Sequence, residues 1–284
     1  MSKDVKSYYD QNTKLFLKLS GNNHTASIHQ PLWFEGTKSR SEALNNTDNL
    51  IIEEIKEVNH ADPRILDLGC GVGGSIFYLL GRLPSALAHG LTISPRQVEI
   101  ANELAKQKKL SGQTTFVEGS YQEIPAEIPN VNLAFSIEAF VHATDAEKFF
   151  EEAYRKLLPG GRLVLVDDFL SETPLETNRQ KGIISDFEDG WMLGSLLPIS
   201  KVNQMAVKAG FEHLRGRDLT SFLPIDSLRD KLIRIYLHSF RWLLKNTSYF
   251  KSQIGGNARQ LALKNGLVQY HKITFQKPLK PSVK

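Results

Sequence analysis

The sequence predicts a doubly wound α/β fold with a seven-stranded, mostly parallel sheet, and three observations carry that prediction. From Arg64 onward, short apolar runs alternate with helical stretches long enough to serve as crossovers. A glycine-rich turn, Gly69-Cys-Gly-Val-Gly-Gly74, follows the first apolar run directly. The composition is that of an ordinary globular protein: 284 residues, 41% hydrophobic and 23% charged.

The elements follow in order. Residues 4–19 carry apolar positions at helical spacing, and Ser20-Gly-Asn-Asn23 closes them as a turn. His29-Gln-Pro-Leu-Trp-Phe34 is an aromatic-rich link, and Ser41–Val58 is an amphipathic helix with Leu44, Leu50, Ile51, Ile55 and Val58 on one side. Strands are expected at Ile65–Leu68, Ala86–Ile93, Thr115–Val117, Val131–Ile137 and Arg162–Val166. Helices are expected at Ser75–Leu83, at Pro95–Lys108 with Ser94 as cap and Pro95 at its first position, and at Ala146–Leu157. Asp168–Pro198 is long and weakly patterned and reads as an insert over the ligand crevice. Ser200–Ala209 is a helix, Glu212–Leu219 a strand, Asp226–Leu244 a long helix and Gly266–Phe275 the last strand. Ser252-Gln-Ile-Gly-Gly-Asn-Ala258 reads as a turn or helix start. The expected partition is an N-terminal helical cap over residues 1–60, an α/β domain over 61–276 with its insert at about 168–199, and a tail over 277–284.

Charge and cysteine usage narrow the class. A net charge of +4 without a dense basic stripe is too weak to argue for nucleic acid, and no nucleic-acid partner is expected. The single cysteine, Cys70, forms no intrachain disulfide, and no apolar run is long enough to span a membrane. A cytoplasmic protein, monomeric or homodimeric and with no stable membrane insertion, is the expectation. The eight histidines form no metal-spaced motif, so no metal site is expected.

Alone, Gly69-x-Gly71-x-x-Gly74 also fits a dinucleotide fingerprint. A nicotinamide site wants an acid at the end of the second strand, and here that strand ends His89-Gly-Leu-Thr-Ile-Ser94. Asp67, just before the glycines, is placed to meet an ammonium group and would repel a pyrophosphate.

Ile65-Leu-Asp-Leu-Gly-Cys-Gly-Val-Gly-Gly74 resembles the first motif of class I S-adenosylmethionine-dependent methyltransferases, with their Rossmann-like fold. Leu157-Leu-Pro-Gly-Gly-Arg-Leu-Val-Leu-Val-Asp-Asp168 is similar to the family's helix-to-strand-five motif. Gly90-Leu-Thr-Ile-Ser-Pro-Arg-Gln97 resembles the subgroup of sterol, tocopherol and cyclopropane-fatty-acid enzymes. The resemblance implies S-adenosyl-L-methionine as cofactor. Its methionine part would be held by Asp67, Gly69 and Gly71, its ribose by Thr92 and Gln97, and its adenine by Ile93, Ser120 and Tyr121, with Tyr9 and Ile137 completing the set. Ser120 stands where the family usually has an acid, and the end of strand two lacks the usual acid too.

Ser136-Ile-Glu-Ala-Phe-Val-His142, after strand four, resembles the Ile-Glu-Ala/Ser-x-x-His pattern of the sterol and tocopherol enzymes. Glu138 and His142 are four apart and would share one face of a helical turn, as a general-base pair or as loop-ordering groups. Tyr8, Trp33, Phe140, Phe187 and Trp191 are candidates to surround a hydrophobic acceptor or to pack as lid core, His29 to close the pocket with Trp33, and Asp168 to meet a polar acceptor group. A small residue is needed at Cys70, which reads as packing. The expected activity is methylation of an isoprenoid, indole-terpenoid or aromatic specialised metabolite, carbon being favoured over oxygen or nitrogen. A nicotinamide-dependent oxidoreductase and a non-catalytic subunit of the same fold are the alternatives.

Overall fold

The computed structural model describes residues 29–225 and 248–279. The expected helices at 4–19 and 226–244, Tyr8, Tyr9 and the end of the tail lie outside the described residues. The elements are α1 (Arg40–Val58), β1 (Arg64–Leu68), α2 (Gly74–Leu80), β2 (Leu87–Thr92), α3 (Pro95–Gln107), β3 (Thr114–Glu118), β4 (Val131–Ile137), α4 (Ala146–Lys156), β5 (Leu157–Leu170), α5 (Asn178–Trp191), α6 (Ile199–Lys208), β6 (Glu212–Asp218), α7 (Ser248–Lys264) and β7 (Val268–Gln276). Short 3-10 turns at Phe140–His142 and Thr220–Phe222 follow β4 and β6.

The seven strands lie in the order β3-β2-β1-β4-β5-β7-β6. Neighbours from β3 through β5 pair in parallel, while β7 runs antiparallel to both β5 and β6. The order reverses between β1 and β4, and in open α/β sheets that switch point opens a crevice beyond the strand carboxyl ends. Central strands buried on both faces explain the unbroken apolar runs: Ile65, Leu66 and Leu68 of β1 and Leu163–Val166 of β5 are fully covered.

Local chemistry sets the helix starts. Ser94 caps α3 by accepting from the Gln97 N–H at 3.2 Å, with Pro95 at the first helical position. Thr177 and Gln180 form a reciprocal capping box that starts α5, so the insert is helical where weak patterning suggested none. A second departure is Gly255-Gly256, which lies inside α7 and not at a turn. There α7 crosses α5 with backbones nearly touching: a Cβ on Gly190 would stand 2.5 Å from the Gly255 Cα, and one on Gly255 would stand 2.6 Å from Trp191 Cδ1. The glycines serve close helix packing. No helix among the described residues is long and apolar enough to cross a membrane.

Candidate active site

The glycine turn between β1 and α2 is folded back on β2. The amides of Gly69 and Cys70 both donate to Leu91 O, at 2.9 and 3.0 Å. Its left-handed residues are Gly69 (φ 108), Gly71 (φ 54) and Gly73 (φ 84), so the third turn-forming glycine is Gly73, while Gly74 already belongs to α2. Among the described residues nothing lies within 4 Å of where a Cβ on Gly71 would stand, whereas a Cβ on Gly69 would strike Ala139 Cβ at 2.4 Å. One glycine therefore leaves open space for a ligand and the other lets the loop after β4 come close. Cys70 is buried, and burial pushes its thiol well above the usual range, which fits packing and not reactivity.

Asp67 ends β1 beside this turn, 4% exposed. Among the described residues no hydrogen bond reaches its carboxylate. Burial, then the charge of Asp48, push it well above the ordinary carboxylate range, while His29 pulls it down. No cation among the described residues hydrogen-bonds or ion-pairs directly with this buried carboxylate, and an amino-acid ammonium would supply that contact. At the end of β2, Thr92 Oγ1 donates to Gln97 Oε1 at 2.6 Å, and both residues are buried. The pair is neutral, as expected for a ribose site lacking a carboxylate. Ile93, Ser120 and Ile137, which follow the ends of β2, β3 and β4 or close them, are half-buried. Tyr121 is buried and donates from its hydroxyl to Ala139 O at 2.9 Å, which ties the β3 edge to the loop after β4.

Glu138 opens that loop in the left-handed region (φ 51), its own amide still donating to Val166 O at 2.9 Å. A non-glycine residue held there stores local strain, a pattern common at working sites. Gln30 N–H (2.7 Å) and the Tyr270 hydroxyl (2.8 Å) both donate to Glu138 Oε1. Oε2 accepts no hydrogen bond among the described residues. Burial raises the Glu138 carboxyl, Arg259 and His29 opposing.

Several expected partners are corrected. Glu138 and His142 do not share a helical face, because Glu138 lies outside the 3-10 turn in which His142 sits. His142 is buried with Nδ1 3.4 Å from Met192 O, and burial lowers it to about 4, so it is neutral in the physiological range. Phe140 is fully buried against Phe149, Phe150 and Phe169 and belongs to the core. Phe187 is fully buried too, edge-on to Trp191 at 5.4 Å. Asp168 is not free for an acceptor: Arg259 Nε and Nη2 grip its two oxygens at 2.5 and 2.9 Å. Trp191 is half-buried and donates to Ser252 O at 3.2 Å, while Trp33 is 39% exposed beside the β6 end.

Tyr270, Arg259 and Asp48 belong to the site or its rim and escaped the sequence reading. Tyr270 occupies an inward position of an alternating strand, and a polar tip there was a usable sign. Asp48 interrupts the apolar stripe Leu44, Ile51, Ile55 of α1, which is another. Arg259 had no such sign, since α7 itself was missed.

Residues 65–161 match the family model described as a methyltransferase domain. The chain is 32% identical over 161 residues to the chloroplastic tocopherol O-methyltransferase of Arabidopsis thaliana, covering 56% of this chain and 41% of that protein. It is 30% identical over 161 residues to the sterol 24-C-methyltransferase of Aspergillus fumigatus, covering 55% and 41%. This chain therefore spans under half the length of these curated relatives. Among solved structures, the putative sarcosine dimethylglycine methyltransferase of Galdieria sulphuraria superposes with a TM-score of 0.75 at 22% identity, covering 95% of this chain and all of that one. The [4+2]-cyclase SpnF gives a TM-score of 0.74 at 21% identity, covering 97% and 96%. The second fold match is not named a methyltransferase, so the likeness in fold alone leaves the chemistry open. The family match over residues 65–161 thus falls on the glycine turn and on β2 through β4 of this Rossmann-like sheet.

Proposed function

We propose that the protein is an S-adenosylmethionine-dependent methyltransferase acting on a hydrophobic small molecule. The observation that carries this reading is Asp67, a buried carboxylate that no group among the described residues hydrogen-bonds, beside a glycine turn where none of those residues approaches the Cβ position of Gly71. Asp67 holds the cofactor's ammonium, Gly69 and Gly71 its methionine backbone, Thr92 and Gln97 its ribose, and Ile93, Ser120, Tyr121 and Ile137 line its adenine end. When bound, S-adenosylmethionine supplies an electrophilic methyl group. Glu138 stands at the carboxyl edge of β4, where the acceptor must approach, and its Oε2 takes the proton that the acceptor gives up. Tyr270 and Gln30 fix the other oxygen. His142 anchors the loop to Met192.

The acceptor is an isoprenoid, indole-terpenoid or aromatic metabolite, and methylation at carbon is favoured over oxygen or nitrogen. Support for the acceptor class comes from relatives named for sterol and tocopherol, and support for carbon from those named sterol C-methyltransferases. Residues 29–60 and the insert at about 168–199 cover the acceptor, with Trp33 and Trp191 at its edge. The protein works in the cytoplasm as a monomer or homodimer.

Calorimetric titration with S-adenosylmethionine and S-adenosylhomocysteine tests the cofactor. Binding by the wild-type protein and its loss in Asp67→Ala are expected, whereas NADH binding without either ligand would replace this reading by an oxidoreductase. A panel of isoprenoid, indole-terpenoid and aromatic acceptors, followed by mass spectrometry for one added methylene, tests the acceptor class. Binding without turnover on any of them would favour a non-catalytic subunit.

A further inference from the structure

A buried charge cluster lies beside the assigned residues. His29 Nε2 stands 3.5 Å from Asp48 Oδ1, and the two side chains are 5% and 0% exposed. Neither Asp48 oxygen nor His29 Nε2 makes a hydrogen bond among the described residues. A sealed carboxylate in that state needs a charge to balance it, and the imidazole is in place to give it. Burial opposes a charge on His29, but Asp48 and Glu138 outweigh it and lift the imidazole to about 9.

The backbone ties this pair to the chemistry. Gln30 accepts from Thr47 Oγ1 of α1 through its carbonyl (3.2 Å) and donates through its amide to Glu138 (2.7 Å). Ala139, next to Glu138, abuts Gly69 of the glycine turn, two residues from Asp67. His29 is thus faced by Asp48 from α1, by Glu138 from the loop after β4 and by Asp67 from β1. Glu138 is also faced by Tyr270 of β7, Arg259 of α7, and Asp168 and Asp167 of β5. Arg259 is committed to Asp168 by two bonds. That leaves His29, among the described residues, as the cation positioned between the two halves of the site.

We propose that His29, charged through its pairing with Asp48, is the counter-cation shared by Asp67 on the cofactor side and Glu138 on the acceptor side. This inference rests on the assignment of Asp67 to the cofactor's ammonium. Its consequence is electrostatic. His29 favours the ionised form of both carboxylates against burial, so the charge that the ammonium meets depends on a residue that does not touch the cofactor.

S-adenosylhomocysteine is the probe, titrated calorimetrically into the full chain from about pH 5 to about pH 9, the range in which a histidine-controlled site responds. Because burial pushes Asp67 toward its neutral form, affinity falls on the acid side and binding there releases a proton. His29→Gln removes the cation and should raise the midpoint of that fall by about one pH unit, and His29→Lys should bring it back. An unmoved midpoint in a folded His29→Gln protein overturns the proposal. If that variant does not fold, the wild-type protein carries the test through the imidazole nitrogen shifts. His29 should be protonated at neutral pH and its shifts should move on saturation with the probe; a neutral His29 there overturns the proposal. Asp67→Asn separates the two assignments. If it leaves the probe's affinity unchanged, the cofactor assignment itself fails; if it weakens binding while His29→Gln moves nothing, only the role of His29 fails.

Discussion

At Glu138 one carboxylate oxygen accepts two hydrogen bonds and the other accepts none among the described residues, the arrangement the proposed role of base requires. Two donors meet on Oε1, from opposite sides of the fold: a strap amide at Gln30 and a strand hydroxyl at Tyr270. The left-handed backbone at φ 51 aims the side chain away from its own strand, at a cost of about 1 kcal/mol for a non-glycine residue. Glu138→Gln keeps the shape and removes the base. Turnover should fall by about 10²–10⁴-fold while cofactor affinity, measured by calorimetry, stays within about threefold. Equal loss of both would assign Glu138 to the cofactor. Tyr270→Phe removes one donor from the carboxylate, which raises Glu138 further. The base works only when ionised, so the acid limb of the kcat profile should move to higher pH. A profile that merely drops without moving would make Tyr270 a packing residue.

Elements were legible where their signal was local. The β4 boundaries, Val131–Ile137, are as the apolar run predicts, and the cap and first turn of α3 follow from Ser94-Pro95. Asp67, the glycine turn, Thr92 and Gln97 were readable because they sit at fixed offsets from strand ends. Asp48, Arg259 and Tyr270 were not, since their partners are 19, 91 and 132 residues away. The capping box at Thr177 and Gln180 was written in the sequence of the insert and passed over for want of an apolar period. Gly255-Gly256 misled outright: glycine usually breaks helices, and here it lets α7 meet α5 at backbone distance. That crossing makes its own prediction. Gly190→Ala and Gly255→Ala should each destabilise by about 2 kcal/mol through overpacking, read from urea unfolding. The two faces share one contact, so the double variant should cost less than the sum. Strict additivity would mean the helices separate readily at this point.

At the scale of the whole molecule, buried ionisable groups tie α1 to the far edge of the sheet and also set how stability responds to pH. Glu54 of α1 is sealed among Arg162 of β5, Arg215 of β6 and Lys272 and Thr274 of β7, with contacts of 2.6–3.0 Å. Glu54→Gln would leave those cations without their buried partner and should cost about 3 kcal/mol. Burial opposes its charge, yet Arg215 and Lys272 hold it down to about 2. This contribution is present above the ordinary glutamate value of 4.5 and is lost as pH falls toward 2. His142 acts earlier on the way down. Burial lowers it from 6.5 to about 4, so the unfolded chain takes up a proton that the folded one refuses, and stability drains between those values. The full loss is at most about 3 kcal/mol. His29 has the opposite sign: raised from 6.5 to about 9, it adds stability that is complete below 6.5 and disappears as pH rises through 9. Wild-type stability should therefore fall in two acid steps and one alkaline step. His142→Gln, which retains a polar atom near Met192 O, should erase the upper acid step and leave the lower one intact. His29→Gln should erase the alkaline step and leave the steps of Glu54 and His142 in place. Urea midpoints taken across this range separate the three, and persistence of the upper acid step in His142→Gln would mean that His142 is already protonated in the folded protein.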